Sequence, residues 1–172
     1  LAVWGIYHFP TAGGNARFRV SLRETKKRPL KKIKISPKSW GVLKSFLGGV
    51  SGTFKQLMDA TGPLWKKQAF KGKLAAGFTV SSLPAGDKQS TLISLFTFSM
   101  QHGMVWVGNP ILPEQHQGVP YTQAANRLGS WSGLMAQAEH ASAADAFDIG
   151  DIKTAQLFGQ NFAFRLNAYQ GT

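Results

Sequence analysis

The sequence contains no cysteine. That absence excludes a disulfide framework, a thiolate nucleophile and a zinc-thiolate centre, and it fits a reducing compartment. No apolar run approaches the ~20 residues that a membrane-spanning helix needs, and the apolar start "LAVWGI" lacks a basic leader, so a soluble cytoplasmic protein without membrane insertion is expected. Histidine is sparse. His8, His102, His116 and His140 are widely spaced, with no pair at i, i+4, and no metal site is expected from them. Neither a G-x-S-x-G elbow nor a G-x-x-x-x-G-K-[ST] loop occurs, which removes the usual hydrolase and nucleotidase signatures.

Acidic residues are also few, 8 against 20 Lys and Arg in 172 residues. The excess is local: residues 1 to 50 carry 11 basic residues and the single acid Glu24, whereas residues 51 to 172 carry 9 and 7. Lys26, Lys27, Arg28, Lys31, Lys32 and Lys34 could form a patch for nucleic acid or anionic lipid. No aromatic residues interleave them for stacking on bases, so a solvated helix and edge strand are the expected reading and nucleic acid is not the expected partner.

What is present is an alternation of short apolar runs with helical stretches, in a chain long enough for one sizeable core. "LAVWGIY" reads as a buried strand, and residues 15 to 27 as a polar helix capped by Asn15. "LKKIKIS" and "WGVLKSF" are further strand candidates, separated by only Pro37 and Lys38. Two parallel neighbours of a common strand need a crossover of at least ~10 residues, so that connection is too short for both to serve. Ser51 to Thr61 carries Phe54, Leu57 and Met58 at helical spacing after a Ser cap, and Gly62-Pro63 stops it. "KLAAGFTV" is a buried strand, "DKQSTLISLFTFSMQHG" a helix ending near His102 and Gly103, and "MVWVG" another strand. Asp87 and Lys88 read as the start of that helix rather than as an acid-base pair. Residues 109 to 150 show no sustained periodicity and read as a long loop insertion. A last helix spans roughly Asp151 to Asn167.

Such alternation predicts an α/β fold with a parallel sheet covered on both faces. Ligands of open α/β sheets bind beyond the carboxyl ends of the strands, where three loops of small residues stand here: "HFPTAGGN", "SFLGGV" and "TVSSLPAGDK". Backbone N-H groups in such loops, with a helix N-terminus behind them, suit an anion. A glycine-rich turn alone serves equally well merely to connect strand and helix.

Residues 49 to 168 resemble the flavodoxin-fold NAD(P)H:quinone oxidoreductases, the WrbA-like family. The resemblance lies in "GVSGTFKQLMDATGPLW", "KGKLAAGFTVSS", "QHGMVWVG" and the later "GVPYTQAANRLGS"; residues 1 to 17 resemble it loosely. It implies a single flavodoxin-like domain over 1 to 172, with a doubly wound five-stranded parallel sheet of order 2-1-3-4-5. It also implies FMN held by three loops, with NAD(P)H as co-substrate and a quinone as acceptor. His8, Thr11, Ala12, Gly13, Gly14 and Asn15 would hold the phosphate. Phe46, Leu47 and Gly48 would lie against the ring system, in a loop where Lys44 replaces the family's usual proline. Thr79, Val80, Ser81, Ser82 and Gly86 would meet the pyrimidine edge and ribityl chain. Trp65 would pack near the flavin of a neighbouring subunit in a homodimer or homotetramer, or else anchor the core. His102 would line the pocket as proton or hydrogen-bond donor, or else close its helix. A flavodoxin-like carrier or flavin reductase is the alternative activity; the long insertion favours the enzyme.

Overall fold

The computed structural model describes residues 2 to 6, 19 to 22, 47 to 138 and 146 to 170, the first two stretches as backbone only. Along the chain these form β1 (Ala2–Ile6), β2 (Arg19–Leu22), α1 (Gly52–Ala60), α2 (Gly62–Lys66), β3 (Leu74–Ala75), β4 (Phe78–Ser81), α3 (Lys88–Gln101), β5 (Val105–Trp106), β6 (Leu134–Gln137) and α4 (Ile149–Gln170). A 3-10 turn spans Glu114–Gln117. The candidate strands "LKKIKIS" and "WGVLKSF" and the basic cluster lie outside the described residues.

β1 pairs antiparallel with β2. This corrects the helix read over residues 15 to 27, because Arg19–Leu22 is a strand. Val20 is β-branched and fits a pleated ladder, a pairing that helical spacing alone does not reveal.

One composite ladder organises the rest. β3 pairs in parallel with β5, and β4 in parallel with β6. The carbonyls of Lys73, Ala75, Gly77 and Ser81 accept, at 2.7 to 3.0 Å, from the amides of Val105, Val107, Leu134 and Ala138 respectively. Alternate carbonyls of a strand point to the same edge. Residues 73 to 81 therefore present one continuous edge, and β5 and β6 fill it in succession as two halves of a split strand. Between the halves, residues 108 to 133 leave the ladder and return. The Asn109 amide donates to Trp131 O (2.9 Å) and its side-chain Nδ2 to Ser130 O (2.8 Å), which closes the neck of this excursion. The stretch read as a featureless connection thus contains a strand, Leu134–Gln137.

Helices cover both faces of the ladder. On one side Phe54 of α1 and Leu92 and Leu95 of α3 pack together, with Met135 and Trp106 against them. On the other, Phe78 and Leu134 meet Ala155 and Phe158 of α4. Leu134 and Met135 are adjacent in β6 and enter opposite clusters, as the period of two in a strand requires. α1 begins where the sequence indicates: the Phe54 amide donates to Ser51 Oγ (3.3 Å). α4 starts two residues earlier and ends three later than expected.

Ion pairs fasten the excursion to α4. Arg127, nearly fully buried, donates from Nε and Nη2 to the two carboxylate oxygens of Asp151, each at 2.9 Å. Lys153 donates to both oxygens of Glu114 at 2.7 Å, and the Asn126 amide donates to Thr154 Oγ1 at 2.7 Å.

Candidate functional site

β4 delivers its carboxyl end, Ser81, into an exposed turn, Ser82 to Asp87, which leads into α3. Gly86 and Asp87 both have positive φ, +50° and +49°. Gly86 is required twice over, since a Cβ there would sit 2.0 Å from Ser81 Oγ. Ser81 Oγ in turn donates to Leu83 O at 2.9 Å.

A second turn lies against this one. Leu47 (φ +48°) is 96% exposed, and Gly48 (φ +79°) places its Cβ position 3.6 Å from the Asp87 Cβ. Ser90 of α3 donates from Oγ to Gly48 O at 2.6 Å, which locks the two turns together. A positive φ is uncommon for a residue other than glycine, so Leu47 marks a sharply constrained turn. The end of β6 forms a further wall: Gln137 donates from Nε2 to Ser82 O (3.2 Å), while its own amide is held by Asp151 Oδ2 at 2.9 Å. The two turns, with the exposed Leu47 at their tip and the N-terminal end of the fourteen-residue α3 beside them, thus share one open face, the opening between the turns.

The site residues indicated by the sequence separate into groups. Leu47, Gly48, Ser81, Ser82 and Gly86 are brought together. Thr79 belongs to the same strand and is fully buried; Val80 is partly buried. His8, Thr11, Ala12, Gly13, Gly14, Asn15 and Phe46 lie outside the described residues.

Trp65 and His102 are elsewhere. α3 runs back from the carboxyl end of the strands, and its fourteen residues span about 20 Å at ~1.5 Å each. His102 caps its far end, 2% exposed, with Phe70 and Phe98 ring centroids at 5.1 and 4.6 Å. Thr61 Oγ1 donates to Met58 O (2.6 Å), so at 3.0 Å it accepts from His102 Nε2-H. His102 Nδ1 then carries the lone pair, with no hydrogen-bond partner among the described residues. Trp65, half exposed on α2, is tied to the same end by Gln68, whose Nε2 contacts both Trp65 O and Gln101 O. Within one chain, neither residue faces the opening.

Burial pushes the His102 imidazole below its ordinary value of 6.5. Below that ordinary value the unfolded chain binds a proton that the folded chain refuses, so stability falls as pH drops from about 7. A denaturant midpoint lower at about pH 5.5 than at about pH 7.5, with the difference reduced in His102→Gln, is the expected result. An unchanged difference in that variant would place the proton uptake elsewhere.

Sequence reasoning missed Lys88, Arg127 and Asp151 as a group. Lys88 was legible only as a helix start, and Arg127 sits in the aperiodic stretch. The one available signal was the acids at the N-terminus of the last helix, Asp151 among them.

No family model matches the chain. It is 32% identical to Flavodoxin FldP of Pseudomonas aeruginosa over 119 residues, 69% of this chain and 64% of that protein. It is 38% identical over 79 residues to a protein of Archaeoglobus fulgidus named NAD(P)H dehydrogenase (quinone), 46% of this chain and 41% of the relative. A protein of the same name from Geobacter sulfurreducens is 43% identical over 63 residues, 37% and 31% of the two chains. The chain therefore spans less than two thirds of the length of these relatives. The crystal structure of a flavodoxin, WrbA-like protein from Agrobacterium tumefaciens superposes with a TM-score of 0.52 at 26% identity, covering 79% of this chain and 74% of that one. With its helices on both faces of a parallel ladder and its paired turns at the strand ends, the chain is similar in sequence and fold to flavodoxin-fold, WrbA-like proteins.

Proposed function

We propose that the protein binds FMN across the paired turns and acts as an NAD(P)H:quinone oxidoreductase. The observation that carries this is the contact of Gly48 with Asp87 and Ser90, which brings two turns far apart in sequence side by side. The opening suits a flat, mostly apolar ring with a polar edge. Leu47 supplies an uncovered apolar surface, and the two positive-φ glycines leave no side chain in the way. Leu47 and Gly48 would lie on the ring face; Ser82 to Gly86 would offer amides and hydroxyls to its edge; His8 and residues 11 to 15 would take the phosphate. The flavin, when bound, supplies hydride and electron transfer, and the protein positions it and sets its electrostatics.

The names of the relatives support the reading, because a quinone and NAD(P)H appear in those of the Archaeoglobus and Geobacter proteins. Under it the chain is one cytoplasmic domain with the family's strand order 2-1-3-4-5, in which β3 and β4 together would be the fourth strand and β5 and β6 together the fifth, the long excursion covering the acceptor. α3 leaves Ile93, Phe96 and Met100 exposed at i, i+3 and i+7, a stripe that supports a homodimer or homotetramer. Trp65, half exposed, would then pack near a neighbouring subunit's flavin. The similarity to Flavodoxin FldP favours a second reading, an FMN-binding electron carrier.

Titration with FMN, followed by quenching of flavin fluorescence, should show saturable 1:1 binding. NADH oxidation by the loaded protein should then rise at least severalfold on adding benzoquinone. Binding without that rise selects the carrier or flavin reductase. Absence of binding overturns both.

A further inference from the structure

Lys88 opens α3, yet it is completely buried, while its neighbours Gln89 and Ser90 are exposed. Its Nζ donates to Ser81 Oγ at 2.8 Å and to Leu83 O at 2.7 Å. Since Ser81 Oγ also donates to Leu83 O, the three groups close a triangle on the inner side of the turn. Among the described residues no carboxylate lies within salt-bridge distance of Nζ. Asp151 is near enough for its field to favour the charged lysine, but its oxygens are engaged by Arg127 and the Gln137 amide. Desolvation outweighs that field and Arg127 opposes it, so the lysine titrates below its usual range.

A helix start needs no buried ammonium, and burying one is costly unless its hydrogen bonds do something. Here they fix the turn that faces the opening. We propose that Lys88 is a positioning residue of the cofactor loop. It turns the Ser81 hydroxyl and the Leu83 carbonyl inward, leaves the loop amides for the ligand, and sets a fixed positive charge behind the loop. Reduction of a flavin by two electrons with uptake of one proton adds one negative charge to the ring system, so such a charge favours the reduced form. This proposal rests on reading Ser81 to Gly86 as a flavin loop.

The test compares wild type, Lys88→Met and Ser81→Ala in three measurements: amide hydrogen exchange of residues 82 to 87 without ligand, affinity for oxidised FMN, and the midpoint potential of bound FMN. In Lys88→Met the loop amides should exchange at least tenfold faster while those of α4 are unchanged, and FMN should bind at least tenfold more weakly. The reduced form should lose about a further tenfold, a fall of about 30 mV for a two-electron couple. Ser81→Ala should weaken binding with the potential unmoved, because the charge remains. Weaker binding by Lys88→Met at an unmoved potential would overturn the electrostatic role. Unaltered exchange, affinity and potential would overturn the proposal as a whole. If wild type binds no FMN, the flavin reading fails, while exchange of the apo loop still decides whether Lys88 braces it. Should Lys88→Met not fold, unaltered exchange and affinity in Ser81→Ala would overturn the brace.

Discussion

Replacing Asp151 by alanine is expected to cost the fold about 3–5 kcal/mol, because it leaves the buried Arg127 guanidinium without its bidentate partner. For a domain of this size that corresponds to a thermal midpoint about 10 °C lower. Asp148 Oδ2, 3.0 Å from Arg127 Nη2, compensates only in part, since it is itself partly exposed and meets one nitrogen. Tyr121 lies under the guanidinium, 4.9 Å from its ring centroid, and would lose that placement as well. The effect should reach the opening. Asp151 holds the Gln137 amide, and the Gln137 side chain holds Ser82 O, so FMN binding should weaken together with stability. Lys153→Ala is the internal control: Lys153 is far more exposed, and its pair with Glu114 should be worth less than about 1 kcal/mol. Equal effects of the two substitutions would show that burial of the Arg127 pair is not what stabilises this corner.

Much of the architecture could be read from local signals, and those signals are the ones that hold. Ser51 caps α1, Gly62-Pro63 marks the break between α1 and α2, and α3 closes at His102 and Gly103. Helix ends are decided by a few neighbouring residues, so a single sequence displays them. Strand pairing is decided by partners far away. β6 is only four residues long, and its reason for being a strand is the edge that residues 77 to 81 present to it. Nothing within "LMAQ" reports that edge. The site divides in the same way. Composition exposed the loops "SFLGGV" and "TVSSLPAGDK", and their described residues do meet. It could not distinguish a histidine facing a ligand from one packed between Phe70 and Phe98, because that depends on where the helix runs. Nor could it show that Lys88 turns inward, since neighbouring polar residues in the same turn face water.

Gly133→Ala should be the most damaging single methyl group in the sheet. A Cβ at Gly133 would stand 2.5 Å from Gly77 O and 3.0 Å from Leu92 Cδ2. The leucine could move, but the carbonyl is backbone and already accepts from the Leu134 amide at 3.0 Å. Relief therefore requires β6 to draw away from β4 at the point where the chain re-enters the ladder. Opposite, Gly77 has its own constraint: a Cβ there would meet the Trp106 ring at 2.6 Å, and Trp106 is held by its Nε1-H to Ser132 O at 2.8 Å. The two glycines and the tryptophan thus set the spacing at which the two halves of the split strand join. Overpacking of this kind typically costs about 1–3 kcal/mol, and the rigid backbone acceptor places this case at the upper end. A midpoint roughly 6–10 °C below wild type is expected, with faster hydrogen exchange at Leu134 and Ala136 and little change in the first turns of α1. Because β6 ends beside Ser82, FMN affinity should fall in the same variant. A stability loss with unaltered affinity would mean that the ladder and the opening are mechanically independent, and that the split strand serves the core alone.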